Sequence, residues 1–310
     1  MTLKLLHTSD WHLGRRLYGR TRYDEQAAFL DWLTDRLDEE GIDLLVVSGD
    51  IFDTAAPSHR AQALYYGFLY KAARTACRHI VVIGGNHDSP ALLEAPKALL
   101  AQLDVHVVGR AAERIEEEVL TLNDSAGRPE AIVCAVPYLR DREVRTSGAG
   151  ESAADKQRLL LEGISAHYDL VLATARERRK ALEKEQPGSK LPLIVTGHLF
   201  AAGGETKADD GVRELYVGAL VRVEASLFGS ELDYLALGHL HSPQRVGGTD
   251  HLRYSGAPMA VSFAEAGRPK SVLICEFGAE ERRIRELEIP RFQAMERISG
   301  DLPAIQAALA

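Results

Sequence analysis

The chain has 310 residues, of which 45% are apolar and 26% charged, and its formal net charge is −8. This composition is typical of one large globular domain and excludes a disordered chain. No run of about 18 apolar residues exists, so a membrane span is excluded. Nothing near Met1 resembles a signal peptide, and the three cysteines (Cys77, Cys134 and Cys275) are far apart. We therefore expect a cytoplasmic protein with buried, reduced thiols.

Strands and helices alternate through the first hundred residues. Apolar runs predict strands over residues 3–8, 44–47 and 80–83. Amphipathic spacing predicts helices over residues 23–41, 57–76 and 90–103. This alternation indicates an α/β fold built from stacked βαβ units.

The second half of the chain is predicted to add further strands over residues 132–136, 193–196 and 234–237. A polar helix is expected over 152–186, and an antiparallel pair formed by 261–263 and 271–277 is expected to close the sheet. The last helix begins with Leu302 and stops after about two turns, too short to be stable alone. We interpret this end as a longer natural protein cut within a second domain; a naturally short tail is the alternative.

Five short motifs follow predicted strands, as the carboxyl ends of parallel strands gather ligands. They are Asp10-Trp11-His12, Gly49-Asp50-Ile51-Phe52-Asp53, Gly85-Asn86-His87-Asp88, Gly197-His198 and Gly238-His239-Leu240-His241. The candidate metal ligands among them are Asp10, His12, Asp50, Asn86, His198, His239 and His241. Oxygen and nitrogen donors without a thiolate favour manganese, iron or zinc over calcium. Two adjacent ions suit displacement of an oxygen from a phosphate ester.

Asp50 is predicted to bridge the two ions, because it lies between two groups of ligands. Asp10, His12 and His241 would complete one ion, and Asn86, His198 and His239 the other. His239 and His241 face one side of an extended segment and can reach different ions.

His87 is predicted to stabilise charge on the substrate or to protonate the leaving oxygen, as a cation oriented by Asp53. A lone histidine such as His198 is more often structural, but coincidence does not explain five motifs in this order. The histidines outside the motifs are expected to be structural or solvent-exposed: His7, His59, His79, His106, His167 and His251.

These motifs resemble those of the calcineurin-like metallophosphoesterases, in particular the nuclease subunits of SbcC–SbcD-type complexes for double-strand-break repair. Further similar stretches are His12-Leu13-Gly14-Arg15, Phe29-Leu30-Asp31-Trp32-Leu33, Asp233-Tyr234-Leu235-Ala236-Leu237 and Arg253-Tyr254-Ser255-Gly256-Ala257-Pro258. The resemblance implies a four-layer αββα sandwich over residues 1–280 and the start of a small α+β DNA-capping domain over 285–310.

The resemblance also implies two Mn²⁺ ions per chain, with Mg²⁺, Fe²⁺ and Zn²⁺ as alternatives, and supports the ligand division above and His87 as the transition-state residue. It implies DNA as substrate, an SbcC-type ATPase partner and a homodimer. The chain departs from the archaeal and eukaryotic nucleases at Asp53, where they commonly carry histidine. The superfamily's phosphoprotein phosphatases instead pair an aspartate with the catalytic histidine.

A basic segment after the first motif favours a nucleic-acid substrate, although the whole chain is acidic. Residues 1–22 carry five cationic side chains against one anionic side chain. The predicted DNA contacts are Arg15, Arg16, Tyr18, Arg20 and Arg22, because guanidinium groups bind phosphates and tyrosine stacks on bases. A solvated basic loop is the alternative. Two rival functions are a stand-alone phosphodiesterase or phosphatase for small substrates and a binding scaffold with a vestigial site.

Overall fold

The computed structural model describes residues 3–146, 148, 150–188, 190–201, 223–229, 231–278 and 281–309. Its strands are β1 (Leu3–Thr8), β2 (Arg16–Leu17), β3 (Arg20–Thr21), β4 (Leu44–Ser48), β5 (His79–Ile83), β6 (Val105–Val108), β7 (Val119–Asn123), β8 (Pro129–Cys134), β9 (Leu193–His198), β10 (Tyr234–Gly238), β11 (Gln244–Val246), β12 (Thr249–Tyr254), β13 (Lys270–Phe277) and β14 (Arg282–Ile289). Its α-helices are α1 (Tyr23–Glu39), α2 (His59–Ala72), α3 (Pro90–Glu94), α4 (Lys97–Leu100), α5 (Asp141–Val144), α6 (Ala153–Glu185) and α7 (Leu302–Leu309).

The first sheet contains the strands predicted from the opening βαβ units. Its order is β14-β13-β1-β4-β5-β6, and β1, β4, β5 and β6 are parallel to one another. β4 and β5 are buried along their whole length, as expected for continuous apolar runs covered on both faces. Helices α1 and α2 cover the outer face through an apolar core that includes Phe29, Leu33 and Phe68.

The second sheet has the order β11-β12-β10-β9-β8-β7, with antiparallel strands only at its two edges. Helix α6 covers its outer face through a core that includes Tyr168 and Val171. A third core, which includes Val46, Val81 and Ile194, fills the space between the sheets. The α/β fold with two mixed sheets in an αββα arrangement is therefore confirmed.

Of two helices predicted from the sequence, the structure divides one into short pieces and contains the other as a single helix. The segment 90–103 is not one helix but three short ones: α3, α4 and a 3₁₀ turn at Ala101–Leu103. Pro96 lies at the break, where its missing N–H prevents a continuous α-helical hydrogen-bond pattern. Helix α6 matches its prediction, and the Ser152 side chain caps it by accepting a hydrogen bond from the Asp155 N–H.

The predicted antiparallel partner of the last apolar strand was wrong. Residues 261–263 form no strand and lead into a 3₁₀ turn at Phe263–Glu265. β13 is antiparallel to both of its neighbours, β1 and β14, and its pairing with β14 extends from Lys270 opposite Ile289 to Phe277 opposite Arg282. β14 is an edge strand with mostly exposed, charged side chains, so it lacks the apolar pattern that predicts a buried strand.

The chain after β14 carries one more helix, α7. Its apolar residues Leu302 and Leu309 are 68% and 73% exposed. Because β14 extends to Ile289, the first sheet includes residues beyond the predicted boundary at 280. The assignment of the terminal segment to a capping domain stays a prediction. In the described ranges, no helix is both long and apolar enough to cross a bilayer.

Candidate metal centre

All seven predicted ligands lie where parallel strands of the two sheets end. Asp10 and His12 follow β1, Asp50 follows β4 and Asn86 follows β5. His198 ends β9, and His239 and His241 follow β10. Main-chain hydrogen bonds join the loops: the Asp10 N–H donates to Gly49 O over 3.0 Å, and the His12 N–H donates to Asp50 O over 3.0 Å.

Four of the predicted ligands have left-handed backbone conformations, which residues other than glycine rarely adopt. Asp10, His12, Asp50 and His239 have φ values of 55°, 45°, 50° and 96°. Such conformations cost free energy and concentrate at functional sites, where surrounding contacts maintain them. The strain here coincides with the loops that turn the ligands toward one another.

Glycines in the motifs allow the loops to approach closely. A Cβ atom on Gly85 would lie 2.1 Å from Asp50 Oδ1, and one on Gly238 would lie 1.9 Å from Ser48 O. Neither position has room for a side chain, because Ser48 O is main chain and Asp50 is 1% exposed. The glycines therefore make the convergence of Asp50, Asn86 and His239 sterically feasible.

The first predicted ligand group is assembled by β1 and β10. His12 Nε2 lies 3.1 Å from His241 Nε2, and His241 Nε2 lies 4.0 Å from Asp10 Oδ1. The three residues are buried, and their ligand atoms lie within 4.8 Å of one another. Two imidazole nitrogens facing each other beside a carboxylate form a donor set suited to a divalent transition metal.

The second predicted group lies beside the first. Asn86 Oδ1 is 3.0 Å from His198 Nε2 and 3.2 Å from His239 Nδ1. Asp50 Oδ2 lies 3.4 Å from His198 Nε2 and 3.6 Å from His12 Nε2, so it is adjacent to both groups. This is the position that the predicted bridge between two ions would require.

The ring of His198 shows that this donor set fits a cation. Its Nδ1–H donates to Ser48 O over 2.8 Å, while Nε2 faces two further acceptors, Asn86 Oδ1 and Asp50 Oδ2. Burial lowers the pKa of His198, but the opposite effect of the Asp50 and Asp10 carboxylates is larger in sum and raises this pKa to about 9. The two oxygen atoms facing Nε2 therefore favour a proton or a metal ion at this nitrogen.

The two carboxylates and the His239 imidazole have the charges expected of metal ligands near neutral pH. Burial alone would raise the pKa of Asp50, but His198 and His12 hold it well below its usual range. Burial raises the pKa of Asp10 to about 6. Burial, and then the neighbouring His198, lower the pKa of His239 to about 3, which keeps this imidazole neutral and able to coordinate a metal.

The hydrogen bond between His87 and Asp53 that the sequence predicted involves the main chain of Asp53 and not its carboxylate. His87 Nδ1–H instead donates to the main-chain carbonyl of Asp53, over 2.8 Å. The Asp53 carboxylate turns toward Arg15, whose Nη1 donates to Oδ1 over 3.0 Å, and it lies 3.5 Å from His12 Nδ1. Attraction to the Arg15 guanidinium accounts for the direction of the Asp53 carboxylate. The His87 ring is oriented instead by the main-chain carbonyl of Asp53.

Sequence reasoning missed two residues that hold the ligand loops in place. The Asp88 carboxylate accepts hydrogen bonds from the N–H groups of Ile51, Phe52 and Gly85 over 2.8–3.1 Å. It thereby joins the loop of Asp50 to the loop of the third motif. Arg140 Nη2 donates to Gly85 O and Asp88 O, over 3.2 and 2.9 Å. Asp88 belongs to a recognised motif and could have been found, whereas no sequence pattern marks Arg140.

The predicted DNA-contact segment forms a small hairpin, β2–β3. Arg16 and Arg20 are exposed on it. Tyr18 at its turn has a φ of 46°, is 83% exposed and has its ring centroid 5.2 Å from that of Phe263. These three side chains are accessible to a large ligand.

The other two arginines of the segment have internal partners. Arg15 pairs with Asp53, as described above. Arg22 pairs with Glu25 over 2.7 Å and donates to Ala260 O over 2.5 Å. Structural pairing of these guanidinium groups competes with any phosphate contact they could make.

Comparison with known proteins identifies the family. Residues 3–243 match the family model described as "Calcineurin-like phosphoesterase". The chain is 39% identical to the SbcD subunit of nuclease SbcCD from Escherichia coli K12 over 308 residues, which cover 99% of this chain and 73% of that protein. The SbcD subunits of Rhodobacter capsulatus and Bacillus subtilis are 36% identical (99% of this chain, 75% of that protein) and 38% identical (88% and 66%). The chain therefore belongs to the SbcD nuclease family of calcineurin-like phosphoesterases.

Proposed function

We propose that this chain is the nuclease subunit of an SbcC–SbcD-type complex and hydrolyses DNA phosphodiester bonds in repair and recombination. Membership of the family across nearly the whole chain supports this function. The proposed activities are exonuclease cleavage of double-stranded DNA and endonuclease cleavage of single strands and hairpins. An SbcC-type ATPase subunit would control access of DNA to the site.

The observation that carries the proposal is the position of Asp50. One of its carboxylate oxygens lies 3.6 Å from a nitrogen of the first ligand group and 3.4 Å from a nitrogen of the second. We assign Asp10, His12 and His241 to one ion, Asn86, His198 and His239 to the other, and Asp50 to both. Mn²⁺ is the proposed metal, and Mg²⁺, Fe²⁺ or Zn²⁺ are alternatives that suit the same donors.

Two divalent cations at this centre would supply an activated water and neutralise charge on the phosphate. His87 is the proposed catalytic residue outside the ligand set. Its Nδ1–H is held by Asp53 O, so its Nε2 is left for the substrate. In its protonated form, Nε2 donates a proton to the leaving oxygen or a hydrogen bond to the charged phosphate.

Asp53 receives a different role from the one its sequence position predicted. Its carboxylate lies beside Nδ1 of the proposed ligand His12, which has no hydrogen-bond partner among the described residues. A carboxylate behind a metal-binding imidazole orients the ring and increases its basicity. We propose that Asp53 supports metal binding through His12 and positions Arg15.

The proposed DNA surface is the β2–β3 hairpin, where Arg16 and Arg20 would bind phosphates and Tyr18 would stack on a base. A homodimer is proposed through the exposed sides of α2 and α4. There Tyr70 is 59% and Leu99 69% exposed, as expected for apolar residues that a second copy covers.

A nuclease assay on end-labelled linear and hairpin DNA tests this function. Cleavage is expected with Mn²⁺ and none with chelator, at matched ionic strength. Asp50→Asn should abolish cleavage, because the bridging charge is lost. Rapid hydrolysis of a simple aryl phosphodiester without cleavage of either DNA would instead support the small-substrate alternative. Binding of DNA without hydrolysis of any phosphodiester would support a scaffold.

A further inference from the structure

We infer that His79, Asp104 and His106 form a third metal site, which is suited to zinc. This site is remote from the two-metal centre that is proposed above around Asp50 and is called the paired centre below. His79 begins β5, and Asp104 and His106 lie at the start of β6. The paired centre lies beyond the opposite ends of these strands. Since a strand rises about 3.3 Å per residue, the length of β5 alone separates the two sites by about 13 Å.

The strand register brings the two histidines to one face of the sheet. His106 lies opposite Val81 in the parallel pair of β5 and β6. Side chains two residues apart in a strand share a face, so His79 lies on the same face as Val81. Asp104 comes directly before β6, in a left-handed backbone conformation (φ 54°). One ligand atom from each of the three residues lies within 4.8 Å of the other two. The imidazole centroids of His79 and His106 are 6.5 Å apart.

The environment of His79 supplies an independent argument for a ligand. His79 is only 7% exposed. Its Nε2 lies 2.8 Å from Asn123 O and 3.4 Å from Glu130 Oε1, and both of these atoms are acceptors. Nε2 must therefore carry the ring proton, which leaves Nδ1 as the coordinating nitrogen. Nδ1 is buried and has no hydrogen-bond partner within the described part of the chain.

This arrangement is typical of a metal-bound imidazole. Such a ring donates its second N–H to a carbonyl or carboxylate, which fixes the tautomer and directs the free nitrogen to the metal. If His79 had only a structural role, its buried Nδ1 would have neither a hydrogen bond nor a metal ion to offset the free-energy cost of removing it from water.

The donor set indicates zinc. Two imidazoles and one carboxylate are a common set of three protein ligands for zinc, with solvent in the fourth position. Asp104 is exposed and His106 half-buried, so solvent can reach the site. Tetrahedral coordination needs donor atoms about 3.4 Å apart at bond lengths of about 2.0–2.2 Å, so the three donor atoms, which lie within 4.8 Å of one another, would move closer together when the ion binds. Magnesium and calcium prefer oxygen ligands.

The site would connect the two sheets. Asn123 and Glu130, the acceptors for His79 Nε2, belong to the second sheet, whereas His79 and His106 belong to the first. Zinc bound to His79 Nδ1 strengthens the hydrogen bonds of Nε2, because the ring becomes a better donor. We therefore expect zinc at this site to stabilise the folded protein.

The test counts the zinc ions bound to the 310-residue chain. The protein is stripped with chelator, equilibrated with Zn²⁺, freed of unbound metal by gel filtration and analysed by atomic emission. His106→Gln should hold one zinc ion fewer per chain than the wild type. Asp104→Asn, which retains a residue tolerant of the left-handed backbone (φ 54°), should bind that ion at least about tenfold more weakly. His59→Gln, at an exposed histidine of α2, should match the wild type.

A second readout is zinc-dependent thermal stability. The part of the Zn²⁺-induced rise in melting temperature that comes from the third site should be absent in His106→Gln, with the paired centre intact. The decisive quantity is a difference of one ion, so the test does not depend on nuclease activity or on the occupancy of the paired centre. Equal zinc content in wild type and His106→Gln would overturn the inference, even if both proteins cleave DNA.

Discussion

Replacement of Asp53 by asparagine separates two explanations of its position beside the centre. If Asp53 orients His87 through its carboxylate, as the motif suggested, Asp53→Asn slows hydrolysis even when metal is saturating. In the structure, the His87 ring is held by the Asp53 main-chain carbonyl, over 2.8 Å, and asparagine keeps that contact. The carboxylate itself faces His12 and Arg15. We therefore expect Asp53→Asn to weaken metal binding instead.

The expected magnitude follows from the contacts that are lost. Loss of a carboxylate behind a metal-binding imidazole typically weakens metal affinity by about 10–100-fold, which is about 1.4–2.7 kcal/mol. The ion pair with Arg15 joins side chains that are 21% and 24% exposed, so its loss adds no more than about 1 kcal/mol to destabilisation of the fold. His87→Gln should instead slow the saturated rate by about 10²–10⁴-fold, as expected for loss of a general acid.

The assay is a Mn²⁺ titration of hydrolysis for wild type, Asp53→Asn and His87→Gln, with metal affinity measured in parallel by calorimetry. Asp53→Asn should require about 10–100-fold more Mn²⁺ and then approach the wild-type rate within about tenfold. His87→Gln should bind Mn²⁺ normally, because the main-chain N–H of residue 87, which donates to Asp50 Oδ1 over 2.9 Å, remains. A saturated rate in Asp53→Asn as low as in His87→Gln, with unchanged metal affinity, would refute this reasoning.

Three further changes test other parts of the structure. Replacing Arg16 and Arg20 by alanine should reduce the slope of log DNA affinity against log salt by about two units, about 0.9 per phosphate contact, and an unchanged slope would remove the hairpin from the DNA surface. Gly85→Ala should abolish metal binding measured by calorimetry, since its Cβ would lie 2.1 Å from the bridging carboxylate, whereas Gly67→Ala, with open space around its Cβ, should bind metal normally. Burial, and then the nearby Arg253, lower the pKa of His7 to about 3. The folded protein therefore holds His7 neutral, and its contribution to the free energy of unfolding is fully present above pH 6.5. This contribution falls by about 1.4 kcal/mol per pH unit as the pH drops from 6.5 toward 3, because only the unfolded chain then takes up the proton. Denaturant unfolding of His7→Asn should show a shallower loss of stability between pH 6 and 4, and an equal loss would contradict this assignment.

Local sequence patterns were sufficient to predict the site where metal-binding residue types directly follow a predicted strand. The apolar runs 44–47 and 80–83 are buried strands, and the polar residues after them lie at one edge, because parallel strands place their carboxyl ends together. The convergence of Asp50 with His12 and His198 could therefore be predicted from residue type and order alone. The strained backbone of Asp50 could not, since no periodicity records a φ of 50°.

Edge strands and side-chain directions required the tertiary structure. β14 was missed because a strand covered on one face carries charges along most of its length. The carboxylate of Asp53 turns to Arg15, and Arg22 pairs with Glu25, because each charged group meets a partner that the sequence alone does not orient.

The sequence by itself determined the chemical character of the paired centre, since donor atoms and their order after successive strands are local properties. Only the folded chain decided which acceptor each ring nitrogen meets, as the contacts of His87 and His79 show. It also decided that two histidines without any motif, His79 and His106, lie close to Asp104. The physical reason is that strand register and packing between sheets depend on contacts distant in sequence, which a residue pattern does not contain.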